Sequence, residues 1–296
     1  MSLTHGFRTP SEDAFFLTTG RYMTVHGGLA DGVGSMRQHG LDPGAYPREL
    51  LSRYSALAQK AAKHAAGCSV PSLLQQAHAA VQAQGACTVC AFRLEFSEAR
   101  PQALLTGANL GDCSLLVFRG SQRLAAVQHQ RKAFDRPYQL GQLQGAQAEH
   151  FQQPAQAELL QAVLQDGDTV VLCSDGVTDN LFEEEVGQLV AEHRGGTAQQ
   201  LALSLVRQAH AASLDRRRDG PFALAAKDSD VVWEAGGRID DATVVVLQVV
   251  SSSEGEGGEL LGSSEAREVL TICAEAQALL PSNSAVPGKG SSKGTK

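Results

Sequence analysis

The tripeptide Asp-Gly-Val occurs twice in this chain, at 31–33 and at 175–177, and both copies close an apolar run. Asp-Gly is a common hairpin turn, but a two-residue hairpin needs a strand on each side. The run 22–30 precedes the first copy, and a glycine-rich loop leading to a helix follows it. "GDTVVLCS" (167–174) precedes the second copy, and the helix-like "LFEEEVGQLVAEH" follows. Neither setting suits a hairpin. Two carboxylates therefore stand at the ends of two strands, and the fold has to place both.

The remaining pattern supplies the layers around them. Strands read at 13–18, 22–30, 87–96, 102–108, 113–118, 122–128, 167–174 and 242–250, in runs bounded by turn residues. The four strands between 87 and 128 are joined by "NLGD" and "RGSQ", which suggests an antiparallel meander. Helical spacing predicts helices at 46–66, with Pro47 in the first turn, and at 72–84, ended by Gly85. Further helices are expected near 155–165, at 181–193 and at 197–214, where Thr197 is the cap; 215–238 reads as a loop. Two groups of strands with two pairs of helices indicate a layered α/β or α+β domain rather than a Rossmann sheet. No GxGxxG opens a helix after a strand and no P-loop is present, so nucleotide binding through either device is not expected.

A chain of 296 residues, 43% of them apolar, can bury one large core or two modest ones. Its formal net charge of −7 argues against a nucleic-acid or anionic-membrane surface. No stretch approaches the roughly 18 apolar residues that would span a bilayer, and residues 1–12 lack the apolar core of a secretory signal. Cys87 and Cys90 have the spacing of a redox or zinc pair, yet no second Cys/His pair sits at ligand spacing. They lie in a strand and read as small buried hydrophobes. The composition shifts after Val250. "SSSEGEGG" is linker-like, 263–280 could form an amphipathic helix, and a basic tail ends the chain. Residues 1–250 are thus the expected functional domain and 251–296 an appendage.

Other acids also mark strand ends. Glu12 and Asp13 precede one strand, Asp240 and Asp241 precede the last, and Asp112 stands between two strands, where a structural turn and a functional site are both open. Carboxylates gathered on one rim repel one another and their pKa values rise. Hard divalent cations such as Mg²⁺ or Mn²⁺ relieve that conflict through oxygen ligands. From spacing alone, ordinary surface capping is the commoner explanation for acid pairs beside strands.

The order of the motifs adds to this. "SEDAFF", "GLADGVGS", "ANLGDCSLLVFRG", "LCSDGVTDNLF" and "GGRIDDATVVV", in this order, resemble the metal-dependent (PPM, type-2C) Ser/Thr protein phosphatases. "DPGAYPREL", "GACTVCAF" and the "GGRIDD" ending look like the organellar branch of the "T-cell-activation-related" type. The resemblance covers about residues 7–250. It implies a four-layer αββα sandwich of two mainly antiparallel sheets flanked by helices, with the metals at one end between the sheets. It also implies hydrolysis of phosphoserine and phosphothreonine by a hydroxide bridging two metal ions. By the resemblance, Asp31 bridges both metals and Gly32 offers its carbonyl. Asp175 and Asp240 match ligands of the first metal, Glu12 an acid serving the second, and Asp13 an acid holding metal-bound water. Asp112 matches the ligand of a weaker third metal. Arg8 stands where the family places its phosphate-binding arginine, and a guanidinium fork suits a phosphoryl group.

Two positions depart from the wider pattern. Val33 stands where many members have a His directly after Asp-Gly, a candidate general acid, and valine transfers no proton. His26 and His39 lie nearby but at unmatched positions. Asp241 stands where the family often has Asn. The expected protein is a monomeric, Mg²⁺- or Mn²⁺-dependent phosphoprotein phosphatase, with no nucleic-acid partner and no membrane span. By resemblance it would act in a mitochondrion or plastid, otherwise in the cytoplasm. Two alternatives stay open: a catalytically weak or inactive phosphatase-like binding module, and a metal-dependent phosphodiesterase or small-molecule phosphatase.

Overall fold

Strands that are apolar at every position, such as 244–247, must be covered on both faces, and the structure covers them with a second sheet on one side and helices on the other. The computed structural model describes residues 11–19, 24–61, 69–96, 102–144, 151–233 and 236–250. In chain order the elements begin with β1 (Ala14–Thr19), β2 (Thr24–Gly32), a 3₁₀ turn (Gly34–His39), α1 (Ala45–Ala61) and α2 (Val70–Ala80). Then come β3 (Gly85–Phe96), β4 (Gln102–Leu110), β5 (Ser114–Arg119), β6 (Gln122–Ala126), β7 (Arg131–Ala133), β8 (Arg136–Pro137) and β9 (Leu140–Gln142). β10 (Glu158–Gln165), β11 (Asp168–Cys173), α3 (Asp175–Thr178), α4 (Glu183–Glu192), α5 (Ala198–Leu214), α6 (Pro221–Asp228) and β12 (Val244–Gln248) complete it.

One sheet runs β1-β2-β3-β4-β10, with β9 also on β3, and the other runs β12-β11-β5-β6. Every pairing in the two sheets is antiparallel. The period-2 alternation of a strand sorts side chains between two cores. Val170, Leu172, Val245 and Leu247 meet Leu29, Phe92 and Leu105 between the sheets. Their neighbours Val171, Cys173, Val244 and Val246 meet Val186, Leu201 and Leu205 under α4 and α5. On the far side, Val89 and Ala91 pack with Tyr46, Leu50, Tyr54, Leu73 and Leu74 of α1 and α2. The layers are helix, sheet, sheet, helix, as the resemblance implies. Among the described residues, no helix is long and apolar enough to cross a membrane.

Four expectations fail locally. The segment 155–165 is not a helix: Glu158–Gln165 is an edge strand on β4, with Glu158 opposite Asn109. Its Glu-Leu-Leu-Gln composition favours a helix, but β4 offers an open row of backbone partners, and ladder pairing overrides propensity. The meander from 87 to 128 is broken, since β4 belongs to one sheet and β5 to the other. Gly111, at φ 111°, turns the chain across the gap. The loop 215–238 contains α6, started by Gly220 and Pro221. Gly85 does not end α2, which stops at Val81; it opens β3 opposite Gln142. The cap at Thr197 is present, its hydroxyl accepting the Gln200 amide at 3.2 Å. Cys87 and Cys90, three residues apart on β3, point to opposite faces and sit in different buried cores, so they neither pair nor share a ligand. The segment 263–280 and the tail lie outside the described residues.

Candidate metal centre

β2 carries Asp31 to the end of the first sheet, and the strand runs on through Gly32, paired with Thr88 and Cys87. Gly32 has to be glycine, because a Cβ there would strike the Pro43 carbonyl and come within 2.8 Å of the Glu12 carbonyl. β11 delivers Asp175 from the second sheet, where one helical turn begins at once. Gly176 permits that turn to lie against the Asp241 carbonyl, with no room for a Cβ. The two Asp-Gly steps thus differ in local form, but both leave a carboxylate where the sheets meet.

The N-terminal acids are fastened to the last loop. Asp241 Oδ2 accepts from the Ser11 hydroxyl at 2.9 Å and the Glu12 amide at 3.0 Å. The Asp13 amide donates to Ser11 Oγ at 3.0 Å, and buried Ser174 donates its hydroxyl to Asp13 Oδ2 at 3.0 Å. Asn180 ties the helical turn to the loop before β12. Its Nδ2 donates to the carbonyls of Gly176 and Arg238, at 2.9 and 2.7 Å, and its Oδ1 accepts the Arg238 amide at 2.9 Å.

Asp31 is the centre of this group. It lies within hydrogen-bonding reach of Asp13 and Asp175. Burial raises its carboxyl well above the ordinary range, and the charges of Asp13, Asp175 and Asp240 raise it further. Burial likewise pushes Asp13 up to about 8, helped by Asp241 against the hydrogen bonds from Thr243 and Ser174. Asp112 and Asp240 are each pushed up to about 7, first by burial and then by the charge of Asp175, against Arg238 in both cases. Burial also raises Glu12, against its ion pair with Arg37. These acids converge as the sequence predicts, and they oppose one another.

The residues fit a hard divalent cation. Asp13 Oδ1 and Asp175 Oδ1 are buried acceptors without a hydrogen-bond partner. The surrounding donors are carboxylate oxygens, which suit Mg²⁺ or Mn²⁺. Among the described residues, though, no three acid, His or Cys side chains are arranged as a finished cage around one point. Arginines engage them from outside instead: Arg131 Nε lies 3.5 Å from Asp112 Oδ2, and Arg238 reaches Asp175 and Asp240 at 3.5 Å each.

Arg8 lies outside the described residues. His26 is 3% exposed in β2, its ring 6.4 Å from that of Tyr54, and His39 is exposed at the end of the 3₁₀ turn. Neither stands among the acids. The sequence reading missed Arg37, Arg131, Asp179, Asn180 and Arg238. Asp179 is 5% exposed and raised well above the ordinary range by burial and then by Asp175. Its signal was its place one helical turn after Asp175. The arginines carried no signal, because they come from a 3₁₀ turn, a short hairpin and a loop.

Comparison with known proteins agrees with the fold. Residues 23–250 match the family model described as Stage II sporulation protein E (SpoIIE). The chain is 32% identical over 252 residues to the Probable protein phosphatase 2C 26 of Arabidopsis thaliana, covering 81% of this chain and 78% of that protein. It is 33% identical over 231 residues to the Protein phosphatase PTC7 homolog fig of Drosophila grimshawi, covering 75% and 74%. Among solved structures, the X-ray structure of the photosystem II phosphatase PBCP superposes with a TM-score of 0.69 at 30% identity, covering 80% of this chain and 91% of that one. The layered sheets and the carboxylates between their ends define a phosphatase-type αββα sandwich. The chain belongs to the PPM, type-2C protein phosphatase family.

Proposed function

We propose that residues 1–250 hydrolyse phosphoserine and phosphothreonine in a phosphoprotein, in dependence on Mg²⁺ or Mn²⁺. The observation that carries this reading is the crowding of Asp13, Asp175 and Asp240 about Asp31, with two buried carboxylate oxygens left unpartnered. Asp31, with the Gly32 carbonyl, would be shared between two cations. Asp175 and Asp240 would complete one of the two sites and Glu12 and Asp13 the other, while Asp112 would serve a weaker third. The cations, when bound, supply Lewis acidity and activate water at neutral pH.

The chain's own part is to hold the phosphoryl group and shape the rim. Arg8 would grip the phosphoryl oxygens by its guanidinium fork. Water adds to phosphorus, the serine or threonine oxygen leaves, and inorganic phosphate and a free hydroxyl result. Val33 has no proton to give that leaving oxygen. General acid help is typically worth about 10²–10⁴-fold, so the turnover expected here is slow but not absent. The reading includes a monomer acting in a plastid or mitochondrion. Likeness to the photosystem II phosphatase PBCP supports an organelle.

Release of phosphate from a phosphoserine peptide, with Mn²⁺, should be abolished by Asp31→Asn. Full activity in that variant would sink the assignment. Val33 favours a second reading, a phosphatase-like binding module without turnover. Mn²⁺-dependent hydrolysis of p-nitrophenyl phosphate by the wild type, lost with EDTA, eliminates it.

A further inference from the structure

Among the described residues, Arg238 makes ion pairs with four carboxylates. Its Nη1 lies 2.8 Å from Asp179 Oδ2, 3.0 Å from Asp135 Oδ1 and 3.5 Å from Asp175 Oδ2. Its Nη2 lies 3.5 Å from Asp240 Oδ2. The guanidinium is 4.7 Å from the centre of the Phe222 ring, a cation–π distance. Phe222 is itself held between Phe134, at 5.0 Å, and Trp233, at 4.7 Å. Asn180 fixes the backbone of Arg238 from both sides. The side chain is therefore held in place by α6, the β7–β8 hairpin and the loop before β12, and arginine does not lose its charge.

Asp175 and Asp240 are the pair that the proposed function gives to one divalent cation. A permanent positive charge that touches both must repel that cation, and its hold on them must loosen for the cation to enter. Asp179 and Asp135 are assigned to no cation, so the guanidinium keeps two carboxylate partners when it moves off the Phe222 face and gives up the other two. We propose that Arg238 is a built-in counter-cation that competes with the divalent cation for Asp175 and Asp240 and so sets the affinity of the site. This rests on the metal site of the proposed function.

The test is calorimetric titration of Mn²⁺ into the chelator-stripped full chain, with thermal melting of the stripped protein alongside. Arg238→Gln is expected to bind Mn²⁺ tighter by about tenfold or more, and to melt lower when stripped. Arg238→Lys keeps the charge and should bind Mn²⁺ like the wild type. Should the Gln variant not fold when stripped, Phe222→Leu loosens the guanidinium without removing it, and is expected to tighten Mn²⁺ binding by about threefold. Equal or weaker binding in Arg238→Gln, or in Phe222→Leu where the first does not fold, overturns the proposal. Arg238 would then only orient its carboxylates. Absence of Mn²⁺ binding by the wild type overturns the metal site and this inference with it.

Discussion

Asp241 accepts both the Ser11 hydroxyl and the Glu12 amide through a single oxygen. Because both partners donate, an Asn with its carbonyl turned toward them serves as well. Asp241→Asn is expected to keep most of its Mn²⁺-dependent phosphatase activity. Asp241→Ala frees the segment that carries Glu12 and Asp13. Its initial rate should fall at limiting Mn²⁺ and recover as Mn²⁺ is raised, which a rate-against-Mn²⁺ titration of the three proteins would show. A uniform loss at every Mn²⁺ concentration would mean that Asp241 does something other than hold that segment. The carboxylates themselves were legible in the sequence, because each closes or precedes an apolar run. Their partners were not, since a hydrogen bond spanning 230 positions, as from Ser11 to Asp241, leaves no local trace.

β2 shows how one element carries two tasks. One end holds Asp31 at the rim; the other buries His26 against Tyr54 of α1, beside Thr18 of β1 and opposite Arg93 of β3. Burial lowers the His26 imidazole to about 4, and the Arg93 charge adds to the effect. The sign follows from proton uptake: the unfolded chain binds a proton near pH 6.5 that the folded chain refuses until about 4. Stability from this group is complete above 6.5 and is lost as pH falls through that window. His26→Leu is expected to flatten the decline in urea midpoint between pH 7 and pH 4.5 relative to wild type. Parallel curves for the two proteins would refute the assignment. Elements with strong periodicity, α1, α5, β3 and β11, were legible in the sequence. β10 was not: its residues favour a helix, and only the open edge of β4 makes it a strand. α6 was hidden by its shortness and by the charged residues before it.

At the scale of the molecule, the core between the sheets bears the stability and the rim of acids draws on it. Phe92, fully buried between the sheets, should cost about 3–5 kcal/mol when truncated to alanine. Leu159, 63% exposed on β10, should change stability by less than about 0.5 kcal/mol on the same substitution. Urea unfolding of both variants measures the contrast, and equal losses would contradict the layering. Against that core, burying the acids of the rim together costs free energy, because each raised pKa marks a charge that the folded state disfavours.

The sequence by itself determined the composition of the layers and the identity of the acids. Strand and helix periodicity are local, and a carboxylate at the end of an apolar run is visible in the run. Only the tertiary structure decided which strands share a sheet, since β4 and β5 adjoin in sequence yet part across the core. It also decided that Asp31, Asp175 and Asp240 meet, and that Arg238 stands among them. Those placements depend on how two sheets stack and where their ends coincide, which is a property of packing and not of any segment.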